Sequence, residues 1–114
     1  MLIVDDHATF RRFARQLLEE AGYRVVGEAC DGASAIEAVR DMAPEIVLLD
    51  VLLPDVSGLA VARKLAALAP APRVILVSSR SAADFGAALN GIPARRFVTK
   101  HELTAASLPA LLGA

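Results

Sequence analysis

Five short apolar runs, each followed by a stretch of helical spacing, leave this chain little freedom of fold. The runs are "LIVD" at 2–5, "RVVGEA" at 24–29, "EIVLLD" at 45–50, "RVILVS" at 73–78 and "RFVT" at 96–99. Continuously apolar strands of this kind belong to sheets covered on both faces. Residues 8–21 carry Phe10, Phe13, Leu17, Leu18 and Ala21 at helical spacing, and Gly22 stops them. Residues 33–42 form a second helical segment, with Asp31 or Gly32 near its cap and Pro44 beyond its end. Residues 57–68 form a third, with Ser57 placed as N-cap. Residues 81–89 are weaker, an Ala-rich stretch interrupted by Gly86, and 102–112 close the series. Strict alternation predicts an α/β fold in three layers, a parallel sheet between two layers of helices. Right-handed crossovers restrict its topology further. No repeat, linker or low-complexity stretch divides the chain, so one domain is expected over residues 1–114.

Composition narrows the class. Hydrophobic residues make up 55% and charged residues 22%, a folded rather than a disordered balance. The formal net charge of −1 offers no broad basic surface, so direct nucleic-acid binding is not expected. Cys30 is alone and supports neither an internal disulfide nor a cysteine-based zinc cluster. No apolar run has the length to span a bilayer, and the Met1-Leu2 start lacks a basic leader segment. The expectation is a cytoplasmic chain without membrane contact, its first strand starting at once as in a trimmed or minimal N-terminus.

In an open α/β sheet, ligands bind beyond the carboxyl ends of the strands. The first strand ends in Asp5-Asp6, the third in Asp50, the fourth in Ser78-Ser79 and the fifth in Thr99-Lys100. The second offers only Glu28-Ala29-Cys30. Asp50 is the residue to explain, because "IVLLDVLLPDVSG" drives a carboxylate into apolar surroundings, where an unpaired charge is costly. Three carboxylates at one edge repel one another and resist ionisation. A hard divalent cation removes that conflict, and Mg²⁺, with oxygen ligands and retained waters, suits one or two carboxylates plus a backbone carbonyl. Such a metal works with phosphate, to which a lysine adds a point charge and a serine a hydrogen bond. A carboxylate can itself attack phosphorus and form an aspartyl phosphate. Taken singly, each residue has a plainer reading: a strand-end Asp as turn former, a satisfied loop hydroxyl, a solvated lysine. Their occurrence together on four strand ends favours phosphoryl chemistry.

These same residues resemble the receiver domain of bacterial two-component response regulators, over essentially the whole chain. "LIVDDH" resembles the acidic-pair strand and "IVLLDVLLPDVSG" the phosphoacceptor strand with its Pro/Gly loop. "VILVSS" resembles the strand ending in Ser/Thr, and "FVTK" the one ending in lysine. "DDHATFRR" with "YRVVGEACDGASAIE" is most similar to receivers that carry a helix-turn-helix output domain. The resemblance implies a flavodoxin-like strand order 2-1-3-4-5. It implies that Asp50 accepts a phosphoryl group from a histidine kinase or phosphotransfer protein. Asp6 would bind Mg²⁺ directly and Asp5 through water, with Asp50 and the backbone carbonyl of Leu52 completing the protein ligands. Ser78 and Lys100 would hold the phosphoryl oxygens, and Phe97 would be the switch aromatic. The outcome would be a shift of the face formed by the fourth helix, fifth strand and fifth helix. This is a population shift between two states.

The sequence departs from the family in places. His101 follows Lys100 where proline preceded by a cis bond is usual, and a cis bond before a non-proline costs about 2.5–4 kcal/mol. "NGIPARRF" is longer than the family's usual turn, and Leu52 and Arg80 occupy the variable positions flanking the phosphoryl group. His7 reads as a helix-start residue rather than a metal ligand, Cys30 as a packed or half-buried thiol, and Arg11, Arg12 and Arg15 as a solvated stripe. Leu103, Leu108, Leu111 and Leu112 read as core, with a homodimer interface as the alternative. Three functions compete. The first is the phosphorylated switch, which turns over no metabolite and so is not an enzyme in the usual sense. A phosphorylation-independent adaptor is favoured by the altered 90–102 region. A phosphatase with an aspartyl-phosphate intermediate is disfavoured, because Leu52 stands where a general acid is needed. No Gly-rich loop follows the first strand, so nucleotide binding is not expected.

Overall fold

The computed structural model describes residues 1–113. Its elements are β1 (Leu2–Val4), α1 (Ala8–Glu20), β2 (Gly27–Ala29), α2 (Gly32–Met42), β3 (Ile46–Asp50) and α3 (Gly58–Ala66). They continue with β4 (Arg73–Ser78), α4 (Ala82–Phe85), β5 (Arg96–Thr99) and α5 (Leu108–Leu112). Short 3₁₀ turns at Gly86–Leu89 and Lys100–Glu102 follow α4 and β5. All five strands join one parallel sheet in the order 2-1-3-4-5, the expected architecture.

Side chains alternate across a strand, and here the alternation divides the core in two. Leu2, Val4, Val47, Leu49, Val74 and Leu76 face Ala35, Val39, Leu59, Val61, Ala62 and Leu65 of α2 and α3. Ile3, Ile46, Leu48, Ile75, Val77 and Val98 face Ala14 and Leu18 of α1 and Leu108 and Leu112 of α5. Leu103, Leu108 and Leu112 are buried and Leu111 is partly buried against the same cluster, so these leucines serve the core. No helix among the described residues is long and apolar enough to cross a membrane.

The caps explain most boundaries. Asp31 caps α2, accepting from the Ser34 N–H at 2.8 Å, and Ser34 returns the contact in a reciprocal box. Ser57 caps α3 by accepting from the Leu59 N–H at 3.1 Å.

Several expected elements are shorter than the sequence implies, three of them markedly. The second strand begins at Gly27, not at residue 24, because only Gly27 to Ala29 pair with β1. The residues before it are tied instead to the chain start, with Val26 N–H donating to Met1 O at 2.8 Å and the Met1 amine to Arg24 O at 2.7 Å. The expected helix 81–89 divides at Gly86, whose φ of +53° and ψ of −130° lie outside the helical region. The expected helix 102–112 divides as well. Thr99 and Glu102 close one capping box around the 3₁₀ turn. Thr104 and Ser107 then exchange bonds of 3.0 and 3.2 Å, and α5 starts only after them, with Pro109 in its first turn.

Candidate functional site

Register and parity bring the carboxylates together. Val4 pairs with Leu49, so Asp5 and Asp50 continue neighbouring strands side by side. Asp5 shares the parity of Ile3, and Asp50 that of Ile46 and Leu48, so both project toward the α1 layer. Asp5 is fully buried and Asp50 is 3% exposed. Lys100, on the 3₁₀ turn after β5, reaches across the edge to both, with Nζ 2.7 Å from Asp5 Oδ2 and 3.6 Å from Asp50 Oδ2. The ammonium also lies 4.4 Å from the centre of the Phe10 ring, a cation–π contact that fixes its approach.

The two carboxylates are electrically unequal. Burial alone raises the pKa of Asp5, but the Lys100 ammonium and the His7 backbone N–H, at 2.8 Å from Oδ1, outweigh it and hold the group below the usual value. Asp50 is pushed up to about 6, first by burial and then by the charge of Asp5. The Leu52 N–H, at 3.2 Å from Asp50 Oδ1, and Lys100 oppose that rise without cancelling it. One lysine therefore serves two buried carboxylates and serves Asp5 better.

Asp6 and His7 complete the cluster at its solvent side. Ligand atoms of Asp5, Asp6, His7 and Asp50 lie within 4.8 Å of one another. Three carboxylates against one ammonium leave surplus negative charge. Asp5 Oδ2 is buried, and its partner is the Lys100 ammonium at 2.7 Å. Crowded anionic oxygens in excess of the one ammonium fit a hard divalent cation.

The remaining expected residues sit nearby in different roles. Ser78 is fully buried at the end of β4, but its parity is that of Leu76, and its hydroxyl accepts from the Arg80 N–H at 3.1 Å rather than touching Asp50. Leu52 meets Asp50 through its amide, while its side chain stands 47% exposed. Phe97 is half-buried and packs edge-on against Phe85 of α4, centroids 5.9 Å apart at 63°. The bond between Lys100 and His101 is trans; Ala69–Pro70 is the cis bond among the described residues. The loop is thus rebuilt, with Thr99 Oγ1 donating to Glu102 Oε1 at 2.5 Å and lying 3.3 Å from His101 Nε2.

Several contributors went unread in the sequence. Arg11 is no solvated residue: it donates to Asp5 O at 2.6 Å and to Glu28 Oε1 at 3.0 Å, while Arg15 donates to Glu28 Oε2 at 2.9 Å. Glu28 thereby anchors the arginine that holds the backbone of the acidic pair. Asp55 accepts from the Gly32 and Ala33 N–H groups at 2.8 and 3.1 Å, tying the loop after β3 to the start of α2. Its pKa is lowered by those donors, the Gly32 N–H foremost. Gly58 donates to Val51 O at 2.7 Å, so the start of α3 lies against the backbone that carries Asp50. His7 is the N-cap residue of α1, as expected of a helix-start residue, yet its ring also turns onto the carboxylates. Cys30 is exposed, not packed, because it lies just beyond the short edge strand β2.

Comparison with known proteins agrees with this arrangement. Residues 1–111 match the response regulator receiver domain family. The chain is 48% identical over 80 residues to protein-glutamate methylesterase/protein-glutamine glutaminase 5 of Myxococcus xanthus, covering 69% of this chain and 23% of that protein. It is 35% identical over 102 residues to a putative transcriptional regulator of Pseudomonas aeruginosa, covering 90% of this chain and 49% of that one. The chain thus spans half or less of these curated relatives. Among solved structures, the signal receiver domain of the putative response regulator NarL from Mycobacterium tuberculosis superposes with a TM-score of 0.84 at 30% identity, covering 99% of this chain and 95% of that one. A matching family model over almost all of the sequence, on the same sheet order and acidic edge, shows that the chain belongs to the response regulator receiver domain family.

Proposed function

We propose that this receiver is a phosphoacceptor switch in which Asp50 takes a phosphoryl group from the phosphohistidine of a histidine kinase or phosphotransfer protein. The observation that carries the reading is the buried Asp5–Lys100–Asp50 arrangement, in which Lys100 stands 2.7 Å from one carboxylate and 3.6 Å from the other. An ionised Asp50 oxygen attacks phosphorus, the new O–P bond forms as the N–P bond breaks, and the donor imidazole leaves with the electron pair. With its pKa near 6, Asp50 is mostly ionised at neutral pH and keeps its nucleophilic form. Asp5, Asp6, Asp50 and the Leu52 carbonyl would hold a divalent cation such as Mg²⁺, which would supply positive charge to the transferring phosphoryl oxygens. Lys100, 3.6 Å from Asp50 Oδ2, is within reach of the new charge and turns from Asp5 toward a phosphoryl oxygen. Ser78 exchanges its acceptor role toward Arg80 N–H for a donor role toward another. The apolar Leu52 side chain at the mouth of the site carries no proton for a phosphatase step.

The Ser78 movement draws on the part of the molecule with the weakest helical structure. α4 has four residues before Gly86 breaks it, and the Phe85–Phe97 contact joins it to β5. Phe97 is accordingly read as the switch aromatic, and the α4–β5–α5 face as the output. Amide hydrogen exchange tests this. With a small phosphodonor and Mg²⁺, protection over residues 82–99 should change in the wild type and stay constant in Asp50→Asn. Equal exchange with and without donor, in a protein shown to carry the phosphoryl group, would dismiss the output face. The second reading, a phosphorylation-independent adaptor, draws on the divided α5 and the trans Lys100–His101 bond. The match covers 23% of the methylesterase's length, so that protein's activity is not carried over to this chain.

A further inference from the structure

Asp5 is held at both ends of its backbone. Its N–H donates to Ala29 O of β2 at 3.0 Å, and its carbonyl accepts from Arg11 Nη1 of α1 at 2.6 Å. The guanidinium is fixed in turn. Its Nε donates to Glu28 Oε1 at 3.0 Å, and Arg15 Nε donates to the other oxygen of that carboxylate at 2.9 Å. The β1–β2 register, with Ile3 opposite Glu28, brings the carboxylate to Arg11. Charge-assisted bonds to a planar fork are strong and directional. The Asp5 carbonyl shares one rigid plane with the nitrogen and Cα of Asp6. Fixing that carbonyl therefore fixes where the Asp6 side chain leaves the backbone. Asp6 needs this support. Its carboxylate is 34% exposed and, among the described residues, its one partner at ion-pair distance is the exposed His7 ring.

We infer that Arg11 is a positioning residue for the acidic edge, aiming Asp6 through the Asp5 carbonyl, and that Glu28 acts through Arg11. This rests on the reading of that edge as a cation site and adds no ligand to it. Charge and position here have opposite signs. A guanidinium beside the acidic pair repels a cation, so by charge alone its removal would tighten cation binding. By position, its removal frees the Asp5–Asp6 peptide and weakens binding.

Titration with Mn²⁺ in the absence of a phosphodonor, followed by the electron paramagnetic resonance of the free ion, separates the two. Affinity should fall about tenfold in Arg11→Gln and by a smaller factor in Glu28→Gln. The double variant should match Arg11→Gln alone, because effects that pass through one residue do not add. Arg11→Lys, the gentler variant, keeps the charge and loses the fork, so it should also bind Mn²⁺ more weakly than wild type. With acetyl phosphate, the loss should appear in the Mg²⁺ concentration that gives half-maximal phosphorylation, and far less in the rate at saturating Mg²⁺. A merely structural role would lower the unfolding free energy and leave the affinity of the folded protein unchanged. Equal or tighter Mn²⁺ binding by Arg11→Gln, or binding by Arg11→Lys equal to wild type, would overturn the positioning role and leave the cation site standing. A double variant weaker than Arg11→Gln would overturn the route from Glu28 through Arg11. No Mn²⁺ binding by a wild-type protein whose circular dichroism shows it folded would remove both this inference and the cation site beneath it.

Discussion

Asp50→Asn should make the metal-free protein more stable at neutral pH, by at most about 3 kcal/mol. The site is the reason. Asp50 is buried beside a second carboxylate, and the one ammonium they share sits closer to Asp5. Its pKa rises from 3.8 to about 6 on folding. A carboxyl group raised in this way binds a proton more tightly in the folded than in the unfolded chain. Its contribution to stability is therefore present below the unfolded value and is lost as pH rises through about 6. Asp5 has the opposite sign: its lowered pKa gives stability above the unfolded value, lost as pH falls through the folded one. Asparagine keeps the shape of Asp50 without the charge, so the Asp50 contribution leaves together with the part of the Asp5 shift that comes from Asp50. Urea unfolding in the presence of chelator should show the variant and wild type alike below the unfolded value of 3.8, the gap opening as pH rises from there and reaching its full size just above about 6. Added Mg²⁺ should narrow the gap, because a ligand that binds only the folded wild type stabilises it by mass action. A variant that is less stable at neutral pH, or a gap that does not vary with pH, would mean that Asp50 is not electrostatically strained.

Gly58→Ala should be among the most damaging small substitutions in the chain. Gly58 opens α3 and is buried. A methyl group there collides with the carbonyl oxygen of Asp50, and it would also stand 2.8 Å from Val51 Cα and 2.9 Å from the Asp50 carbonyl carbon. These are backbone atoms of a central strand end, and they cannot rotate away as a side-chain tip would. Overpacking of this kind costs about 1–3 kcal/mol and occasionally more; a clash with backbone belongs at the upper end. Relief requires α3 to withdraw, which lengthens the 2.7 Å bond from Gly58 N–H to Val51 O and shifts the segment that carries Asp50. Phosphoryl acceptance should therefore fall together with stability. Unfolding free energy within about 0.5 kcal/mol of wild type, with unchanged phosphorylation, would refute the close approach.

How much of this was legible from residue order depends on what each feature needs. The sheet was legible because parallel strands buried on both faces leave uninterrupted apolar runs. The acidic edge was legible because carboxylates, a hydroxyl and a lysine fall together on four strand ends, although each alone has a plain structural use. The divided C-terminal region was half-legible: Thr99 and Glu102 have capping-box spacing, and Thr104 and Ser107 bond in the same pattern, but the Ala/Leu content of 102–112 argues for a continuous helix. Features that need tertiary placement were not legible. Phe10 reads as a core residue until Lys100 is seen over its ring. Arg11 reads as solvated until Glu28 and the Asp5 carbonyl are brought beside it by the β1–β2 pairing. The inward turn of His7 depends on a backbone torsion that no periodicity encodes. Gly58 was legible only as part of the Pro/Gly loop of "IVLLDVLLPDVSG"; its physical reason is a neighbour eight residues earlier in the chain.

The central claim is that Asp50 accepts phosphorus, and intact mass spectrometry after incubation with acetyl phosphate tests it most directly. Wild type and Asp50→Asn are compared with Mg²⁺ and with chelator. The account requires one phosphoryl adduct on the wild type, dependent on Mg²⁺ and absent from Asp50→Asn. An adduct that survives in the variant would move the chemistry to another residue. No adduct on a folded wild type, with acetyl phosphate or with a panel of histidine kinases, would contradict the switch and leave the phosphorylation-independent adaptor in its place.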